Sequence, residues 1–255
     1  MHSRAQLGNP APIDPAPVAR VKWGAMHPTS IRKLRAIGAM VTLLVLIAGP
    51  VGATASSPPD PMGAVRHGVD QVLTVFRDRD VPLKDRREKL RQLAAQHFDF
   101  ADMARSALGY HWRDLSPAQR ASFVPLFATF IQDAYLSKLQ EYTVRKVQDE
   151  AKTAKITFSR ETFDGADYAE VFSDVLLIDQ KDPLQVNYLM HRRDGVWLIY
   201  DVTIDAISVI ANYRNQFNRV INNDGYAKLV ADLRTKAAQL EELMDHPSAT
   251  AADAR

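Results

Sequence analysis

Apolar positions along this chain repeat first with a helical period, then with a strand period, then with a helical one again. Val65, Val69, Val72, Leu73 and Phe76 recur three and four residues apart and predict one helix from about Met62. Leu83, Leu90, Leu93 and Ala94 form a second stripe, opened by Pro82. Phe98 to Leu108 reads as a short third helix that Gly109 ends. Ser116-Pro117-Ala118-Gln119 carries the signature of a capped helix start, with Gln119 placed to close a capping box. In the helix that follows, Phe123, Val124, Leu126, Phe127, Phe130, Ile131, Ala134, Tyr135, Leu139 and Tyr142 spread over more than half the circumference. A helix resting on one core needs an apolar stripe of only about 100°, so this helix is expected to be covered on two sides.

After Ala151 the period becomes two. Ile156 to Phe158, Tyr168 to Ile178, Leu184 to Arg193 and Val196 to Ile204 predict about four strands. Asp194-Gly195 is a two-residue hairpin signal and makes the last pair antiparallel. Large apolar groups stand on both faces of these strands, so the sheet is expected to be covered on one face and to line something with the other. From Ile207 the helical period returns, with Ile207, Ile210, Tyr213, Phe217, Val220 and Ile221 on one face. A last helix is expected from Tyr226 to Met244, and the small polar residues from His246 to Arg255 read as a disordered tail. The pattern is that of an α+β chain.

The first 55 residues stand apart. Arg32, Lys33 and Arg35 precede an uncharged apolar run from Ala36 to Ala48, and Ala53-Thr54-Ala55 follows with small residues at the positions a signal peptidase reads. A run of about 13 is shorter than the roughly 20 residues a membrane span requires. Residues 1–55 are therefore read as a leader with a secretory signal peptide cleaved near Ala55. Residues 1–29 have no apolar period, and a start at Met26 gives a conventional signal. A linker at 56–61 and one domain at 62–245 complete the expected organisation.

Setting the leader aside changes the charge balance. Of 32 Lys and Arg, six lie in the leader, and of 30 Asp and Glu only Asp14 does. The remainder carries 26 basic and 29 acidic groups. A nucleic-acid partner calls for a basic domain, so no nucleic-acid partner is expected. Cysteine is absent, which excludes disulfides, thiolate nucleophiles and Cys-based metal sites. The histidines beyond the leader are His67, His97, His111, His191 and His246, and no two are at metal-ligand spacing. Neither a metal nor a cofactor is expected. Asp201 and Asp205 can be read as paired carboxylates, but a hydrogen-bonded strand residue and a helix cap explain them more simply. Arg192 and Arg193 can meet an anion or lie solvated beside the hairpin turn.

What remains unexplained is the apolar surplus of the long helix and the sheet. A two-sided core and an internal pocket both account for it.

Two stretches carry a resemblance. Leu108-Gly109-Tyr110-His111-Trp112-Arg113 with Ser116 to Arg120 and Phe123 is one. Trp197 to Val202, running into Ser208 and Asn212-Tyr213-Arg214-Asn215-Gln216-Phe217, is the other and the more specific. Together they resemble the MlaC, or toluene-tolerance, family over about residues 62 to 240. The resemblance implies a helical lobe packed around a small antiparallel sheet, with lipid acyl chains buried between them. It implies a non-enzymatic periplasmic shuttle that maintains outer-membrane lipid asymmetry. The implied partners are a phospholipid ligand, an inner-membrane ABC-transporter complex and an outer-membrane lipoprotein complex. A related subgroup is associated with hopanoids. On this reading the pocket wall is drawn from Phe123, Phe127, Phe130, Tyr135, Val171, Val175, Tyr188, Met190, Trp197, Ile199, Tyr213 and Phe217. An enzyme of similar shape would instead hold converging polar groups, and an interaction module would have a filled core. One departure stands out. Asp205-Ala206 occupies the place of the family's Glu-Gly, and Ala206 adopts a positive φ less cheaply than glycine.

Overall fold

The computed structural model describes residues 60–78, 80–146, 155–176 and 182–245. The expected leader, all but the last two residues of the linker, the tail, and Leu177 and Ile178 lie outside the described residues.

Helix α1 (Pro61–Arg77) starts where Asp60 accepts the Gly63 N–H, with Pro61 in its first turn. Helix α2 (Leu83–His97) follows. Helix α3 (Phe100–Leu108) begins two residues later than the apolar pattern suggests, because Asp99 is its cap and Phe98 is extended. Gly109 ends it at φ 58°, and a single turn, α4 (His111–Asp114), leads to α5 (Pro117–Lys146). The capping box forms as expected. Gln119 N–H donates to Ser116 Oγ at 3.3 Å, and Ser116 N–H donates to Gln119 Oε1 at 2.8 Å. The sheet comprises β1 (Lys155–Asp164), β2 (Tyr168–Leu176), β3 (Leu184–Arg193), β4 (Val196–Ile204) and β5 (Ile207–Ser208), antiparallel throughout and in sequence order. Helices α6 (Val209–Asp224) and α7 (Tyr226–Asp245) close the described chain.

The fifth strand is a difference from the sequence reading, which put Ile207 on a helix. Asp205 and Ala206 adopt φ of 47° and 65° and turn Ile207 back to pair with Ile204. Both central residues of such a two-residue hairpin need positive φ. For alanine that geometry costs about 1 kcal/mol. Ala206→Gly is therefore expected to raise stability by about 1 kcal/mol, read from the urea midpoint; a lower midpoint contradicts this account of the turn.

A bulge changes which residues of β4 face inward. Leu189 pairs with Asp201 and Met190 with Ile199, so Tyr200 is the extra residue. Trp197 and Ile199 point into the core before it, and Val202 and Ile204 after it. The bulge also turns the buried Asp201 toward the start of α6. There its carboxylate accepts the Val202 and Ile210 N–H groups at 2.8 and 3.1 Å and the Ser208 hydroxyl at 2.5 Å. Ser208 caps α6 through the Ala211 N–H. Asp205 accepts the Gln185 N–H at 3.3 Å. Asp201 is thus the hydrogen-bonded strand residue of the simpler sequence reading, but the helix cap is Ser208, and Asp205 serves the turn instead.

One sheet face does both things the sequence divided between two. Ala169, Val171, Val175, Val186, Tyr188, Met190, Trp197, Ile199, Val202 and Ile204 are all buried on it. The opposite face, with Glu170, Phe172, Asn187, Leu189, Leu198 and Tyr200, is only half-buried. On it Arg160 lies 4.0 Å over the Phe172 ring, and Asn187 donates to Glu170.

The sheet and the helical lobe meet at Asp99. Its N–H donates to Ile199 O at 2.9 Å. Its buried carboxylate accepts the Asp102 N–H, meets His191 Nε2 at 3.0 Å and pairs with Arg193 at 2.6 Å. Arg192 pairs instead with Asp167.

Candidate functional site

An apolar cavity of about 220 Å³ lies between the sheet's covered face and helices α1, α2, α3 and α5, with Val209, the first residue of α6, also on its wall. Helix α1 contributes Val65, Gly68, Val69, Val72 and Leu73, and α2 contributes Leu90, Arg91, Leu93, Ala94 and His97. Helix α5 adds Ile131, Gln132, Tyr135 and Leu136. The sheet supplies Ile156, Tyr188, Met190, Ile199, Val202 and Ile204.

Local chemistry sets these walls. Met62 N–H donates to Glu161 on β1 at 2.8 Å, and Arg66 lies 4.6 Å over the Phe158 ring, which tie α1 to the sheet edge. Gly68 brings α1 close to α2: a Cβ there would stand 3.1 Å from the His97 ring. His97 in turn meets Gln71 at 2.7 Å. Burial, with His67 nearby, lowers the His97 pKa and favours its neutral form. Arg91 is the one charged residue on the described wall, and it is bonded to the buried Asp133 of α5 at 2.7 Å. Burial raises the Asp133 pKa, and the Arg91 contacts oppose that shift.

The twelve wall candidates divide. Tyr135, Tyr188, Met190 and Ile199 line the cavity. Val171, Val175 and Trp197 are buried in the sheet's own core beside it. Phe123, Phe127, Phe130, Tyr213 and Phe217 lie in a second core, among α3, α5, α6 and α7. There Phe217 stands edge-on to Phe123 and Phe127 at 6.3 and 6.2 Å, and Phe130 to Tyr213 at 5.6 Å. The wide apolar arc of α5 is thus covered on two sides, mostly by helices. The walls that sequence reasoning missed come from α1 and α2. Their stripes are rich in Val, Leu and Ala and poor in aromatics, which leaves room beside them.

Three tyrosines, two on the cavity wall and Tyr213 in the second core, give the fold a pH signature. Burial pushes the hydroxyls of Tyr188 and Tyr213 up to about 12, and that of Tyr135 well above the usual 10. The folded chain keeps these protons where the unfolded chain has lost them. The stability they contribute is fully present below pH 10 and is lost as pH rises from 10 toward 12. Tyrosinate absorbance in this range is expected to rise together with loss of helical circular dichroism. Ionisation of all tyrosines near pH 10 with the helices intact would contradict their burial.

Among the described residues no group of three or more His, Cys, Asp or Glu is placed to hold a metal ion, and no helix is long and apolar enough to cross a membrane.

The family model "MlaC protein" matches residues 66–235. The intermembrane phospholipid transport system binding protein MlaC of Haemophilus influenzae is 18% identical over 205 residues, 78% of this chain and 92% of that protein. A solved structure with the same fold is the phospholipid-binding protein from Ralstonia solanacearum in complex with a phospholipid. It matches with a TM-score of 0.58 at 22% identity, covering 71% of this chain and 99% of that one.

Proposed function

The chain belongs to the MlaC family, and from that premise we propose that it is a periplasmic lipid carrier. It takes a phospholipid from one membrane, shelters the acyl chains in the cavity and delivers them to another. The observation that carries this reading is the cavity itself, apolar, bounded by the sheet and the surrounding helices, with its one charged wall residue among the described residues paired to Asp133.

The physical task is desolvation. Each methylene is worth about 0.8 kcal/mol out of water, so exposing two acyl chains costs on the order of 20 kcal/mol. A carrier replaces the bilayer's apolar contact nearly evenly, since a site that bound far more tightly would not release its load. This requires no bond-making group, and the reading assigns the protein no reaction. Size decides how much fits. At roughly 30 Å³ per water-sized group, a cavity of about 220 Å³ takes about seven such groups, roughly half of one long acyl chain. A whole lipid requires the α1–α2 pair to move away from α5, whose main partners are α7 and α3.

On the same reading the leader directs export and is removed near Ala55. The lipid is exchanged with an inner-membrane ABC-transporter complex and an outer-membrane lipoprotein complex, which maintains the asymmetry of the outer membrane. Transfer of a fluorescent phospholipid between two vesicle populations tests the carrier. The protein without its leader is expected to accelerate transfer in proportion to its concentration. Binding without acceleration would make it a lipid store and contradict the proposal.

A further inference from the structure

The cavity wall is aliphatic over most of its area and polar along one strip of α5. Gln132 and Tyr135 stand there one helical turn apart, and both line the cavity. Arg91, bonded to Asp133 next in sequence to Gln132, brings the wall's cation to the same stretch. The Tyr135 hydroxyl is the group that asks for a partner. The residue is half-buried on the cavity wall, and its hydroxyl has no hydrogen bond to any of the described residues. A buried hydroxyl left unpaired costs about 1–3 kcal/mol. A cavity filled with methylene groups alone would leave it in that state.

A diacyl phospholipid has acceptors at the head of its chains, the two ester carbonyls, and its phosphate lies only a few bonds away. That order matches the strip: a hydroxyl for the ester, and a guanidinium nearby for the anion. Building on the carrier reading, we propose that the Tyr135 hydroxyl donates a hydrogen bond to an ester carbonyl of the bound lipid. It thereby sets the depth of the lipid in the cavity and selects ester-linked over ether-linked chains. Burial, with Tyr213 and Asp201 nearby, raises the Tyr135 pKa and keeps the group a donor throughout the physiological range.

The test compares dipalmitoyl phosphatidylglycerol with the dihexadecyl diether of the same headgroup, each competing against a fluorescent lipid for the leaderless protein. Wild type is expected to bind the diester roughly three- to tenfold more tightly than the diether, the effect of one neutral hydrogen bond. Tyr135→Phe keeps the ring and removes only the donor. In that variant the diester affinity is expected to fall to the diether level, with an unchanged circular dichroism spectrum. Equal affinity of wild type for the two lipids overturns the proposal, and so does an ester preference that survives in Tyr135→Phe. Failure of both lipids to bind wild type overturns the carrier reading itself.

Discussion

Ala94→Trp is expected to empty the cavity of lipid while the chain stays folded. Ala94 is half-buried on α2 and lines the cavity, so the indole has open space to enter. Filling a void avoids the cost of overpacking a dense core, and the loss of helix propensity is about 0.5 kcal/mol. For the ligand the change is large. An indole displaces roughly five methylene groups, and at about 0.8 kcal/mol each retention falls by well over tenfold. Phosphorus per protein after solvent extraction reads this directly, with a thermal melt on the same sample. A folded variant that carries the wild-type load would place the lipid elsewhere.

Phe127→Ala is expected to do the reverse. Phe127 is fully buried in the helical core, stacked 6.1 Å from Phe123 and edge-on to Phe217. Deleting such a ring costs about 3–5 kcal/mol, a large part of a total of roughly 5–15 kcal/mol. Urea denaturation should show that loss, while the folded fraction keeps its lipid. Little loss of stability together with loss of lipid would move Phe127 to the pocket wall.

The contrast between these two residues shows what was legible in the sequence. Element type was legible wherever periodicity was long, as in α5, α7 and β2 to β4, because period alone separates helix from strand. The chemistry of short segments was legible too. Ser116 with Gln119 and Asp194 with Gly195 each specify one local geometry. The bulge at Tyr200 was not, since nothing local marks the residue where β4 changes its inward set. The cavity was legible only in part. An apolar side chain reads the same whether it meets another side chain or a void, so Phe127 and Val69 could not be told apart. Only the closeness of α1 and α2 at Gly68, and the cavity left between them, the sheet and α5, separates the two cases.

The motifs that resemble the MlaC family serve the fold. Gly109 at positive φ lies against the Arg214 side chain, and Arg214 Nε donates to Ser106 O at 2.6 Å. Tyr110 and His111 both reach Asn218, at 2.7 and 2.9 Å. Parts of the two stretches thus come together as one joint between α3, α4 and α6, and the residues of that joint do not line the cavity, whereas Ile199 and Val202 of the second stretch do. The joint identifies the scaffold, while α1, α2, the covered sheet face and the strip on α5 decide what it holds.

That division makes lipid content the most direct measurement. The protein without its leader, purified after expression in a host that exports it, is extracted with organic solvent and weighed intact by native mass spectrometry. The account predicts close to one phospholipid per chain. It also predicts exchange of that lipid on mixing with vesicles. A chain that is folded, free of lipid and unable to acquire any from vesicles would contradict it.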